Sequence, residues 1–177
     1  MGLMEKTRTV CFSGHRRVDF DMDDSYMGKM LQNELIMIIK NSIKSGFNTF
    51  CTGMAQGFDI IAAEAVLKER YNHAECIKLI CIIPYRGQEN KWGEKWKRRY
   101  DNALKASDDF YVLNDRFVIG CYHERNRFLV DNSSRLVGLH SGKTGGTEHT
   151  FKYAQEKGLE IINLWDKLGD AEDERTN

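Results

Sequence analysis

Short apolar runs and stretches of helical periodicity alternate along the chain from residue 9 to residue 164. The first run, Thr9-Val10-Cys11-Phe12, breaks at Ser13-Gly14; Met27, Leu31, Leu35, Ile38 and Ile39 then recur at helical spacing until Ser45-Gly46, a C-cap signal. A second run, Thr49-Phe50-Cys51, breaks at Thr52-Gly53 and leads into a helix carrying Ile61, Ala65 and Leu67. The third run, Lys78 to Pro84, is the most apolar and reads as a central strand, closed by the one proline of the chain. Beyond it the pattern predicts a helix over Trp92 to Leu104, a strand at Phe110 to Leu113 and a helix from Cys121 to Val130. A strand at Arg135 to Leu139, a helix from Gly145 to Glu156 and a last strand at Glu160 to Leu164 complete it. Residues 1–165 read as a single domain, and residues 166–177 as a charged, frayed tail.

Strands alternating with helices of this length imply a mostly parallel sheet covered on both faces. With right-handed crossovers the expected fold is α/β, a single Rossmann-like, doubly wound sheet. Such folds bind ligands outside the carboxyl ends of the strands, where the winding reverses.

Composition narrows the classes of partner. Lys plus Arg number 26 and Asp plus Glu 26, so the net charge is zero and the basic excess of a dedicated duplex-DNA binder is missing. No run approaches the roughly 18–20 apolar residues of a membrane span, and Met1 to Thr9 lacks a signal peptide's apolar stretch. The expectation is a cytoplasmic protein without membrane contact. The five cysteines (11, 51, 76, 81 and 121) form no C-x-x-C pair, and buried thiols account for them better than disulfides or metal ligation. No metal site is expected.

The strand ends carry the candidate chemistry. Ser13, Gly14, His15, Arg16 and Arg17 follow the first strand, and Thr52, Gly53, Met54, Gln56, Gly57 and Asp59 the second. Pro84, Tyr85 and Gln88 follow the third, with Trp92 just beyond; Asn114 and Asp115 follow the fourth. After the fifth come Lys143, Thr144, Gly145, Gly146 and Thr147. Glycine lets a backbone approach a ligand closely, and a helix N-terminus offers unpaired N–H groups to an anion. Glycine also serves tight strand-to-helix turns with no ligand at all. Three such loops on one edge, with Arg16, Arg17 and Lys143 nearby, favour a phosphate or pyrophosphate site.

Two familiar signatures fail. Gly142-Lys143-Thr144 resembles the end of a P-loop, but Val137 stands where its first glycine is required. G-x-G-x-x-G is also absent, since Ala55 separates Gly53 from Gly57 without a central glycine.

Thr52 to Asp59, followed by Ala62-Ala63 and Ala65-Val66-Leu67, resembles the signature of the SLOG superfamily, which includes the DNA-processing protein A and LONELY GUY families. Phe12 to Arg16, Ile83-Pro84-Tyr85 with Gln88 and Trp92, Arg125-Asn126 with Val130-Asp131, and Gly145-Gly146-Thr147 are similar to its YpsA-like branch. The resemblance spans about Val10 to Leu164. It implies non-catalytic sensing or sequestration of a nucleotide-derived ligand, such as an NAD or ADP-ribose relative, with no further cofactor required. It also allows a homo-oligomer. Enzymatic relatives carry a Gly-Thr-x-x-Glu stretch whose Glu takes part in N-glycosidic cleavage; the aligned position here is Thr150, which supplies no carboxylate.

Asn114, Asp115, Asn126 and Asp131 are candidates for ribose hydroxyls, and Asp59 for either ligand contact or an N-cap. Trp92, Trp96 and Tyr100, spaced by four among basic residues, suit either a base-stacking platform or packing on the sheet. A third reading has Trp92 alone stack on the ligand's base. Two alternatives to the sensor stay open: an N-glycosidic hydrolase using Glu64, Glu148 or Asp115, and a single-stranded nucleic-acid binder, against which the neutral charge argues.

Overall fold

The computed structural model describes residues 4–16, 25–72 and 77–168. Arg17, His73, Cys76 and the end of the expected tail lie outside them. Six strands form one parallel sheet: β1 (Thr9–Gly14), β2 (Thr49–Thr52), β3 (Lys78–Ile83), β4 (Asp109–Val112), β5 (Arg135–Leu139) and β6 (Glu160–Asn163), ordered β4-β3-β2-β1-β5-β6. The helices between them are α1 (Tyr26–Lys44), α2 (Phe58–Asn72), α3 (Glu94–Ala106), α4 (Cys121–Asp131) and α5 (Gly146–Glu156). The fold is thus the expected Rossmann-like α/β sheet.

The period of two along each strand sorts side chains onto two faces. Val10, Phe12, Phe50, Leu79 and Val137 point into a core shared with Leu31, Leu35 and Ile39 of α1, Ile61 and Val66 of α2, and Tyr100 of α3. Cys11, Cys51, Ile80, Ile82 and Leu136 point the other way, against Leu129 and Val130 of α4 and Ala154 of α5. Because both faces are covered, the strands are apolar at nearly every position between their ends, and the polar residues gather at the termini, such as Thr49 and Thr52 of β2 and Glu160 and Asn163 of β6. Cys11, Cys51, Cys81 and Cys121 are free and buried. Burial pushes the thiols of Cys51 and Cys81 up to about 12, so both stay protonated packing groups.

From β1 the chain steps outward through β2, β3 and β4, then returns through α4 to β5 on the opposite side of β1. The winding therefore reverses between β1 and β5. That gap is the topological switch point, open at the strands' carboxyl ends.

Three local readings shift. The most apolar run, β3, is interior but lies one strand in from the β4 edge; β1 and β2 occupy the middle. Trp92 lies before α3, because the helix begins only after its N-cap Gly93 and Trp96 donates its N–H to the Gly93 carbonyl (3.0 Å). Strand β6 ends at Asn163, and Leu164 turns into the first core, fully buried.

Candidate functional site

Three loops meet over the switch point. The β1 loop is pinned on both sides: the His15 N–H donates to the Leu139 carbonyl (3.3 Å), and the His15 carbonyl accepts from the Phe58 N–H (3.2 Å). The imidazole Nε2 accepts the Ser141 N–H at 2.9 Å, with the Ser141 hydroxyl also 2.9 Å away. A ring nitrogen that accepts carries no proton, so His15 is the neutral Nδ1–H tautomer here, tying the β1 loop to the β5 loop.

The β2 loop packs beneath it. Gly57 has φ +95°, and a Cβ there would meet the carbonyl oxygens of Arg16 and His15. Only glycine fits that position without moving the β1 loop. Gly57→Ala is expected to lower stability by about 1–3 kcal/mol, read by urea denaturation. Thr52 and Met54 are fully buried; the Thr52 hydroxyl donates to the Asp59 carbonyl (2.9 Å) and accepts from the Met54 N–H (3.4 Å). Gln88 donates to the Met54 carbonyl (3.1 Å).

Below the loops lies a buried ion pair. Asp59 and Arg125 are 4% and 3% exposed, with a guanidinium nitrogen 3.6 Å from Asp59 Oδ2. Asp59 Oδ2 also accepts the Ala55 N–H (3.2 Å), while Arg125 donates to the Gly53 carbonyl and through Nε to Asn126 Oδ1 (2.8 Å). Burial raises the Asp59 carboxyl above the ordinary carboxylate range; Arg125 and the backbone N–H groups of Ala55 and Gly14 pull it partly back. Asp59 follows the first residue of α2 and binds the preceding turn from inside the helix.

These elements enclose a cleft of 640 Å³. On one side are Ser13, Gly14, His15 and Arg16; on the other are Lys143 to Thr147 at the start of α5; Tyr122, His123, Arg125 and Asn126 of α4 close it, with Asp59 at the base. The first N–H groups of α5 have no intrahelical acceptor, and Arg16 and Lys143 add cations, so the cleft suits an anion. Arg16 sits over the Tyr122 ring at 4.4 Å. Asp59 supplies the one carboxylate among the described lining residues.

A smaller chamber of 240 Å³ adjoins the cleft, lined by Arg16, Ala55, Gln56, Gln88, Trp92 and Tyr122. A groove of equal volume between α4 and α5 adjoins it at the other end, sharing His123, Asn126 and His149. The rings of His123 and His149 stand 5.4 Å apart, edge to face.

Other residues singled out in the sequence lie elsewhere. Thr52, Gly53, Met54 and Gly57 form the floor that shapes the β2 loop. Pro84 and Asn114 brace each other (3.0 Å), with Asn114 also donating to Glu124 (2.9 Å). Tyr85 stands behind Tyr122, hydroxyl to hydroxyl at 3.2 Å, and that bond pushes its phenol up to about 12. Asp115 is exposed and faces Arg86 (3.5 Å). Asp131 ends α4, well away from the cleft, and pairs with Tyr153 (3.0 Å) and Lys157 (3.5 Å). None of these last residues lines the cleft.

Potential catalytic carboxylates are also engaged elsewhere. Glu64 is held by Arg99 (2.7 Å) and Glu148 by Lys152 (2.7 Å). Thr150 is buried and donates its hydroxyl to the Gly146 carbonyl (2.9 Å). Trp96 packs against the core with the Arg99 guanidinium 4.5 Å from its ring centre, so its face is not an open stacking platform.

Tyr122, Arg125, His123 and His149 were not anticipated as site residues. The available signal was positional: Tyr122, Arg125 and Asn126 are spaced i, i+3, i+4, and α4 is the crossover that passes the switch point.

Comparison with known proteins places these features in a family. The chain is 26% identical over 141 residues to the SPbeta prophage-derived protein YoqJ of Bacillus subtilis, covering 71% of this chain and 81% of YoqJ. It is 27% identical over 147 residues to a UPF0398 protein of Bacillus licheniformis, covering 78% of each. Among solved structures, DNA processing protein A from Streptococcus pneumoniae superposes with a TM-score of 0.62 at 19% identity. DNA processing protein A from Helicobacter pylori, described in a single-stranded DNA binding mode, gives 0.59 at 17%. These superpositions cover 88% and 89% of this chain but only 49% and 64% of theirs, and they speak for the fold. The YpsA family model, described as the YspA SLOG family, matches residues 10–162. The chain belongs to the YspA SLOG family.

Proposed function

We propose that the protein binds a phosphate-bearing, nucleotide-derived ligand of the ADP-ribose or NAD type in the cleft between β1 and β5, and holds it without cleaving it. The observation that carries this reading is the convergence on one cleft of the α5 N-terminus, the β1 loop and the cations Arg16 and Lys143. Retention without cleavage is supported by the carboxylates. The one that lines the cleft, Asp59, is locked to Arg125 and the Ala55 N–H, and Thr150 stands where enzymatic relatives carry a Glu. A glycosidase needs a carboxylate free to meet the reacting carbon or water.

Purified protein incubated with a nucleotide mixture including NAD, ADP-ribose and cyclic ADP-ribose, then washed and heat-denatured, is expected to release one intact nucleotide near stoichiometry. Mass spectrometry reads the outcome. A nucleotide converted to free base with nothing retained would make the protein a hydrolase.

A second reading, single-stranded nucleic-acid binding, has one comparison behind it: the Helicobacter pylori protein of similar fold. The covered face of Trp96 and the zero net charge weigh against it here. Retention of a labelled oligonucleotide at low salt, lost on Trp96→Ala, would favour it.

A further inference from the structure

The cleft's two adjoining spaces are chemically unlike, and that difference gives the ligand a direction. We infer that the Trp92 chamber receives the flat heterocycle of the ligand, whose phosphates lie over α5 and whose remaining polar end points into the α4–α5 groove. The inference rests on the nucleotide reading above and deepens it.

The chamber opens into the cleft through residues common to both: Arg16, Ala55 and Tyr122. Its outer wall is Trp92, which is fixed in place. The Trp92 N–H donates to the Glu89 carbonyl (2.9 Å), and its indole meets the Tyr100 ring edge to face at 5.5 Å and 88°. Tyr100 is buried and hydrogen-bonded to Gln88, whose amide is in turn committed to the Met54 carbonyl. Gln56 is the other carboxamide lining the chamber, and it has no partner among the described residues. A carboxamide offers a donor and an acceptor side by side, which suits the edge of a base. An indole wall offers a π-surface for its face. One cation, Arg16, stands at the throat, where it can meet a phosphate attached to a base held inside.

The opposite groove lacks this character. Arg127, Lys152, His123 and His149 line it, with Glu156 as its carboxylate. Its one aromatic ring besides the imidazoles, Tyr153, already has Arg127 (5.9 Å) and Lys157 (5.2 Å) over it and its hydroxyl on Asp131, so the groove favours hydroxyl-rich or anionic groups over a stacked ring. A base placed there would find two imidazoles already packed against each other.

Calorimetric titration of ADP and of inorganic pyrophosphate tests the inference. ADP is expected to bind at least about ten-fold more tightly than pyrophosphate, the increment that base–aromatic stacking brings. Trp92→Leu should lower ADP affinity about ten-fold and leave pyrophosphate within about two-fold, and retained pyrophosphate binding also certifies the fold. Gln56→Ala, in a loop outside the packed core, should weaken ADP about five-fold without affecting pyrophosphate. Equal losses for both probes in Trp92→Leu, or unchanged ADP affinity in both variants, would overturn the base assignment while leaving the phosphate site intact. If neither probe binds the unaltered protein, the nucleotide reading fails and the base assignment with it.

Discussion

Arg125→Leu is expected to be among the most damaging single substitutions in the chain, lowering stability by about 3–5 kcal/mol at neutral pH, the cost of removing one partner of a buried ion pair. It strands the Asp59 carboxylate at 4% exposure and leaves the Gly53 carbonyl without its guanidinium. The sign of the pH dependence follows from the same pair. Burial already raises the folded-state pKa of Asp59 above the unfolded value, and loss of Arg125 raises it further. A carboxyl with a raised folded pKa is bound to its proton more in the folded state, so stability falls as pH rises from the ordinary carboxylate value of about 3.9 through the raised one. The variant should therefore recover part of its loss between pH 7 and pH 5. Asp59→Asn combined with Arg125→Leu should recover part of it at pH 7 and show a flatter profile. Urea denaturation at both pH values measures all three proteins. Equal destabilisation of Arg125→Leu at pH 7 and pH 5 would mean that the pair is not electrostatically coupled as its geometry indicates.

Arg16→Ala is expected to cost about ten- to hundred-fold in affinity for ADP-ribose, the worth of charge-assisted hydrogen bonds to a phosphate. The melting temperature should barely move. Arg16 is exposed, and its stacking on Tyr122 at 4.4 Å is worth only about 0.5–1 kcal/mol at such a site. Thr147→Asp makes the complementary test. A carboxylate in the first turn of α5 favours the helix by about 0.3–1 kcal/mol through its dipole, yet it occupies the ground an anion would take. Unchanged or improved stability with ligand affinity lost is the expected pair of results. Unaltered ADP-ribose binding in both variants would move the ligand away from the β1 and β5 loops.

The strand–helix alternation was legible in the sequence because a doubly covered parallel sheet writes nearly continuous apolar runs, and α1, α3 and α5 stop at glycine or serine signals (Ser45-Gly46, Ser107 and Gly158). The glycine loops after β1, β2 and β5 were legible for the same reason. What periodicity does not carry is which helix passes the switch point and how far its residues extend from it. Asp131 and Asn126 lie five residues apart on α4; one borders the cleft and the other pairs with Lys157 at the far end of the helix. Trp92, Trp96 and Tyr100 share a helical spacing, but Gly93 starts the helix only after Trp92, leaving that indole in a turn facing the smaller chamber. Arg125 was visible only as part of a family resemblance. Its partner Asp59 is 66 positions earlier in the chain, and no local pattern joins the two.

The most direct measurement is an amide chemical-shift map of the labelled protein titrated with ADP-ribose. Binding over the switch point predicts the largest shifts at Gly14, Arg16, Gly146 and Thr147, with the Trp92 indole N–H moving alongside them and Trp96 unmoved. Shifts centred on Trp96 and the outer face of α3, with the β1 and β5 loops silent, would contradict it.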